Sequence, residues 1–99
     1  MTVDQGNIIL QQLGGNRFKA MTGAKLFVVS EQGLGFKIGK NSKRVNYVRI
    51  QLNGNDLYDV KFCRIRNFKE TVVSFSEDIF CDQLEVVFAR HTGLYTRLF

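Results

Sequence analysis

Within Gly39 to Arg44 the chain places Lys40, Lys43 and Arg44 beside Asn41 and Ser42. These side chains are donors suited to phosphate oxygens, and no carboxylate interrupts them. Arg49, Lys61, Arg64 and Arg66 follow at positions that could extend the same surface, with Tyr47 as a ring beside them. If Tyr47, Arg49 and Gln51 share an exposed sheet face with Lys61, they form a mixed aromatic and cationic surface of the kind that holds single strands. Rings there stack on bases and guanidinium groups neutralise the backbone. The alternative is a solvated polar face, because a run of charge often serves solubility alone.

Catalytic chemistry finds no comparable foothold. Gly33-Leu34-Gly35-Phe36-Lys37-Ile38-Gly39-Lys40-Asn41 invites a nucleotide reading, but Ile38 stands where the dinucleotide fingerprint needs its third Gly, and Asn41 where a P-loop needs Ser or Thr. The segment also reads as an antiparallel strand rather than a strand-to-helix turn. His91, the only histidine, has no nucleophile or orienting carboxylate near it in sequence, and its place in a final helical turn suits the C-terminal dipole better than general base work. Asp56 and Asp59 read as turn-shaping residues. Cys63 and Cys81 are too far apart for a C-x-x-C unit and have no His or third Cys to complete a zinc set. They read as buried apolar side chains, with a disulfide as the alternative. The expectation is therefore a protein that is not an enzyme, with no catalytic residue, no cofactor and no metal site.

Charge is distributed unevenly. Twelve of the fourteen Lys and Arg residues lie between Arg17 and Lys69, against Glu31, Asp56 and Asp59; from Glu70 onward Glu70, Glu77, Asp78, Asp82 and Glu85 outnumber Arg90 and Arg97. The net charge of +5 thus sums unlike parts, and a one-sided field of this kind concentrates polyanions. Ninety-nine residues with 44% hydrophobic content suffice for one domain, residues 1–99, with one core. Nine Phe and three Tyr, without Trp, put the large apolar volume into rings. With no signal-like opening and no apolar run of bilayer length, a soluble protein of a reducing cytoplasm, not bound to membrane, is expected.

The elements follow from periodicity. Asp4 or Asn7 can cap an opening helix carrying Ile9, Leu10 and Leu13, which Gly14-Gly15 stops. Asn16 to Gly23 suits a second helical turn or an ordered loop. Leu26 to Ser30 reads as a buried strand, apolar on both faces, turned by Gln32-Gly33 into Leu34, Phe36 and Ile38. Gly33, Gly35, Lys37 and Gly39 leave the outer face of that returning strand nearly bare. Val48, Ile50 and Leu52 make a third strand ending at the hairpin signal Asn53-Gly54. Tyr58, Val60 and Phe62 alternate until the pattern slips near Cys63, at a bulge or an end, and Thr71, Val73 and Phe75 continue as a fourth strand. Ser74 and Glu77 have capping-box spacing for a last helix with Phe80, Leu84, Val87 and Phe88 as its stripe and Gly93 as its stop. The fold class is α+β, a two-layer domain with a four-stranded antiparallel sheet and N- and C-terminal helices on one face, in the order α-β-β-β-β-α.

Five segments resemble a family of small uncharacterised proteins of bacteriophages and related mobile elements: Ile9-Leu10-Gln11-Gln12-Leu13-Gly14-Gly15-Asn16-Arg17-Phe18, Met21-Thr22-Gly23-Ala24, Val48-Arg49-Ile50-Gln51-Leu52, Tyr58-Asp59-Val60-Lys61-Phe62 and Thr92-Gly93-Leu94-Tyr95-Thr96. The resemblance implies a mobile-element protein of the bacterial cytoplasm and no particular reaction. Beside it, the Gly14-Gly15-Asn16-Arg17-Phe18 and Thr92-Gly93-Leu94-Tyr95-Thr96 segments read as matched helix-end devices that meet in space, or as a binding epitope, with Tyr95 the residue to follow.

The leading expectation is a small non-catalytic binding protein contacting nucleic-acid phosphates through Lys40, Lys43, Arg44, Arg49, Lys61, Arg64 and Arg66, with Tyr47 as a stacking ring. A protein-binding inhibitor or adaptor acting on a host defence protein, and a small virion or assembly component, are the alternatives. The choice of DNA, RNA or protein partner, and the oligomeric state, stay open at the level of sequence.

Overall fold

A computed structural model describes residues 1–31 and 33–94; Gln32 of the expected turn, and Tyr95, lie outside them. Thr2 starts helix α1 (Val3–Leu13) with a reciprocal capping box: its hydroxyl accepts from Gln5 N at 3.2 Å while its own N–H donates to Gln5 Oε1 at 2.8 Å. This replaces the Asp4 or Asn7 cap read from sequence. Gly14, at φ 125°, ends α1, and the chain turns at once into α2 (Gly15–Thr22), a full helix rather than a loop.

The sheet is a meander of five antiparallel strands in the order β1 (Lys25–Ser30), β2 (Gly33–Lys37), β3 (Tyr47–Leu52), β4 (Tyr58–Arg66) and β5 (Lys69–Ile79). Five strands form where four were expected: Tyr58–Arg66 and Lys69–Ile79 are separate strands joined by a two-residue turn, and the slip near Cys63 is a bulge in their ladder rather than a strand end. Phe62 pairs with Ser74 but Cys63 with Val72, so β5 contributes an extra residue there and pairing continues to Arg66 opposite Lys69. The helix expected to start at Ser74 is likewise corrected. Ser76 and Ile79 still pair with Val60 and Tyr58, and ladder hydrogen bonds outweigh the local capping signal. A 3₁₀ turn, Cys81–Gln83, then leads into α3 (Leu84–Thr92).

Two further expectations change. β1 is not buried on both faces: it is an edge strand, with Leu26 and Val28 63% and 55% exposed. The β3–β4 connection is not a tight Asn-Gly hairpin. Asn53 organises a longer loop by accepting from Asn55 N and Leu57 N and donating to Asp59 and Asp78, and Asp56, at φ 58°, takes the left-handed position.

All three helices cover one face of the sheet. Ile9, Leu13, Phe18, Leu84 and Phe88 pack on Leu34, Phe36, Val48, Ile50, Val60 and Phe62, which fits the two-layer α+β class. α2 and α3 end with the same device. Thr22 and Thr92 each donate to the carbonyl of a Phe four residues back (Phe18, 2.7 Å; Phe88, 2.8 Å), and each accepts from the N–H two residues on. Gly23 and Gly93 follow at φ 70° and 77°, and the two rings meet edge to face with centroids 5.0 Å apart. Phe18, the last residue of the first expected segment, thus reaches α3 at Phe88, while Tyr95 and Thr96 of the second lie outside the described residues.

Candidate nucleic-acid interface

In an antiparallel meander the starts of β1, β3 and β5 and the ends of β2 and β4 fall at the same end of the sheet. The sequence loads those positions with cations. Lys25 faces Lys37 across β1 and β2, Arg66 faces Lys69 across β4 and β5, and the loop leaving β2 carries Lys40, Lys43 and Arg44. The opposite end collects Glu31 after β1, Asp56 in the β3–β4 loop, and Glu77 and Asp78 at the close of β5. Cations and carboxylates at the strand termini therefore gather at opposite ends of the sheet, although Glu31 and Asp56 come from the basic stretch of the sequence.

At the basic end a cleft of about 550 Å³ is lined by Lys40, Arg44, Arg64 and Arg66 together with Asn41 and Asn46, and no carboxylate is among its lining residues. Asn41 fixes the loop that forms one wall, donating to Gly39 O and Val45 O and accepting from Val45 N. Asn46 stands in for a strand residue before β3 begins, exchanging hydrogen bonds of 2.9 and 2.8 Å with the Ile65 backbone. Arg64 Nε donates to Arg44 O at 3.1 Å, which joins the loop to β4. Gly39 N donates to Thr22 O, and Gly93 lies against Ser42, so the C-termini of α2 and α3 both abut the loop. The negative ends of their dipoles offset repulsion among its cations.

The expected site residues divide into two groups. Lys40, Arg44, Arg64 and Arg66 converge on the cleft, and Lys43 precedes Arg44 in the same loop. Tyr47, Arg49 and Lys61 lie instead on the helix-free sheet face. There Arg49 pairs with Glu70 at 3.0 Å, and its guanidinium sits 5.3 Å from the centre of the Tyr47 ring. That ring lies over Gly35, whose missing side chain leaves room for it, so the bare face expected on β2 is occupied by Tyr47. A second groove of about 540 Å³ on this face sets Asp59 and Glu70 against Arg49 and Lys61. Its charges balance, and polyanions gain little there. Sequence reasoning passed over Lys25, Lys37 and Lys69, whose signal is their position at strand termini, and also Phe68 between β4 and β5.

Cys63 and His91, outside the cleft, both have packed surroundings. Burial pushes the Cys63 thiol up, and the Glu70 charge pushes it further in the same direction, so it stays protonated; Cys81 is exposed and both thiols are free. His91 does not cap its helix. Its ring stacks on Phe62 at 4.6 Å, its Nδ1 lies 2.9 Å from Ser74 Oγ, and burial followed by the Arg90 charge lowers its pKa. Among the described residues no group of His, Cys, Asp and Glu could hold a metal ion, and no helix is long and apolar enough to cross a membrane. No protein family matches the sequence, and neither curated proteins nor solved structures provide a significant match.

Proposed function

We propose that the chain is a small non-catalytic binding protein of a bacteriophage or related mobile element, working in the bacterial cytoplasm, that grips nucleic-acid phosphates through the basic end of its sheet. The observation that carries this reading is the cleft lined by Lys40, Arg44, Arg64 and Arg66 with no carboxylate to compete for them. Phosphate contacts of this kind supply affinity without reading sequence. The mobile-element part rests on the resemblance of the five segments named above. Titration of single- and double-stranded oligonucleotides with the parent and a Lys43→Glu, Arg44→Glu variant, each checked for folding by circular dichroism, tests the reading. Binding lost in the variant supports it; equal binding by both rejects it.

A second reading is favoured by β5. This eleven-residue strand closes the sheet among the described residues and leaves Val72, Val73 and Phe75 exposed. An open apolar edge can add a strand from a host protein, as an inhibitor or adaptor would. Recovery of one stoichiometric host protein after nuclease treatment, lost on Val73→Lys, would favour this reading over the first.

A further inference from the structure

β4 and β5 are joined by Asn67 and Phe68 alone, at φ 53° and 64°. Two left-handed residues in a two-residue connection make a type I′ hairpin, whose second position is favoured for Gly because any side chain there strains the backbone. Asn67 suits the first position. Phe68 is unsuited to the second, and its ring gains nothing by being there: the residue is fully exposed, at 107%, and has no ring or cation contact among the described residues. The chain therefore bears an unfavourable backbone and an unburied aromatic at one position where Gly would remove both. Strain retained without an internal contact to offset it points to a use outside the folded molecule.

The surroundings indicate which use. Arg66 and Lys69 flank the turn as a cross-strand pair, and Arg64 and Arg66 line the cationic cleft. An exposed ring next to a phosphate-sized set of cations is the arrangement in which an unpaired base stacks while its backbone is neutralised alongside. We infer that Phe68 is a stacking platform for an unpaired base of a single-stranded nucleic acid whose phosphates enter the cleft. This rests on the phosphate-binding reading above. Single strands are favoured over duplex because their bases reach the ring without the unstacking that a wedge driven into paired DNA requires.

The test uses Phe68→Gly and Phe68→Tyr in the full chain. Gly removes the ring and the strain together, so misfolding does not confound the result, and its melting temperature should equal or exceed that of the parent. Labelled oligothymidylate should bind Phe68→Gly about 5- to 100-fold more weakly than the parent. Phe68→Tyr should bind as the parent does. The salt dependence should keep its slope, since no phosphate contact is lost, and binding to a matched duplex should change much less.

Unchanged oligothymidylate binding by Phe68→Gly, or equal losses on duplex and single strand, would overturn the assignment. So would a loss confined to vesicles of phosphatidylserine and phosphatidylcholine, which would make the ring a lipid anchor. A lowered melting temperature would overturn the strain argument. If Lys43→Glu, Arg44→Glu loses binding while Phe68→Gly does not, stacking alone has failed; if the charge reversal is also silent, the phosphate reading has failed beneath it.

Discussion

Salt dependence separates the basic end from the helix-free face as the seat of binding. The cleft presents Lys40, Arg44, Arg64 and Arg66. If each neutralises one phosphate, counterion release sets a log–log slope of about −2.8 for a single strand and about −3.6 for a duplex. Single-strand affinity should then fall about 50-fold between about 50 and about 200 mM salt. The informative perturbation is Lys40→Gln with Arg66→Gln. Both side chains are exposed and neither has a hydrogen bond or ion pair among the described residues, whereas Arg64 holds the Arg44 carbonyl and is better left intact. With two of four contacts gone the single-strand slope should halve to about −1.4, and the loss over the same interval should shrink to about sevenfold. Fluorescence anisotropy across a salt series reads both quantities. Lys61→Gln is the control, since Lys61 shares its groove with Asp59 and Glu70, and it should leave the slope unchanged. An unaltered slope in the double variant, or an equal reduction from Lys61→Gln, would refute placement of the contacts at the sheet end.

Other outcomes test the fold that positions the cleft. A Cβ at Gly33 would run into the Ile50 carbonyl at a φ of 117°, while Gly54 has open space around it. Gly33→Ala should cost at least about 2 kcal/mol in urea denaturation, and Gly54→Ala should be neutral or stabilise by up to about 1 kcal/mol. Because burial and then Arg90 lower the pKa of His91, the unfolded chain binds its proton more readily than the folded one. Its stabilising share is complete above the ordinary value of 6.5 and is lost as pH falls through the lower folded value, so melting temperatures between pH 8 and pH 5 should drop less in His91→Phe than in the parent. Thr92→Val leaves the Leu94 N–H and the Phe88 carbonyl without the hydroxyl that serves both, and should cost about 1–2 kcal/mol in thermal or chemical unfolding. Thr22→Val should cost no more, since its acceptor contact from Ala24 is longer, at 3.3 Å.

The α+β class, the first hairpin, the covered helix face and the stop at Gly93 were legible because each depends on local periodicity or on a residue whose backbone freedom is needed there. The slip of parity at Cys63 was legible too, but its meaning was not. A bulge and a strand end leave the same local pattern, and only pairing with β5 decides between them. Ser74 misled for a related reason: its hydroxyl meets His91 across the layers, a contact between residues 17 apart that no local window contains. For the site, the residue types were legible and their grouping was not. Arg49 and Lys61 look like Arg64 and Arg66 in sequence, but strand position sends the first pair to mid-sheet beside carboxylates and the second to the terminus. Phe68 was hidden because an aromatic after several alternating residues reads as core unless the turn is seen.

If the basic end sets binding, the arrangement of charge matters and its sum does not. Net charge of +5 is modest, yet it conceals one sheet end carrying Lys25, Lys37, Lys40, Lys43, Arg44, Arg66 and Lys69 and another carrying Glu31, Asp56, Glu77 and Asp78. Exchanging Lys43→Glu with Glu77→Lys leaves the formal net charge at +5 while making the basic end two charge units less positive and the acidic end two units more so. Both side chains are exposed and neither has a partner among the described residues, so the fold should tolerate the exchange. A ligand drawn by the summed charge would bind the exchanged protein as well as the parent. A ligand seated at the basic end loses one attraction and meets one repulsion within a Debye length of about 10 Å at 0.1 M salt, whereas the new lysine is a strand length away and largely screened. Oligonucleotide affinity should therefore fall with the exchange at constant net charge, and equal affinity in the two proteins would mean that the charge separation built by the meander has no part in binding.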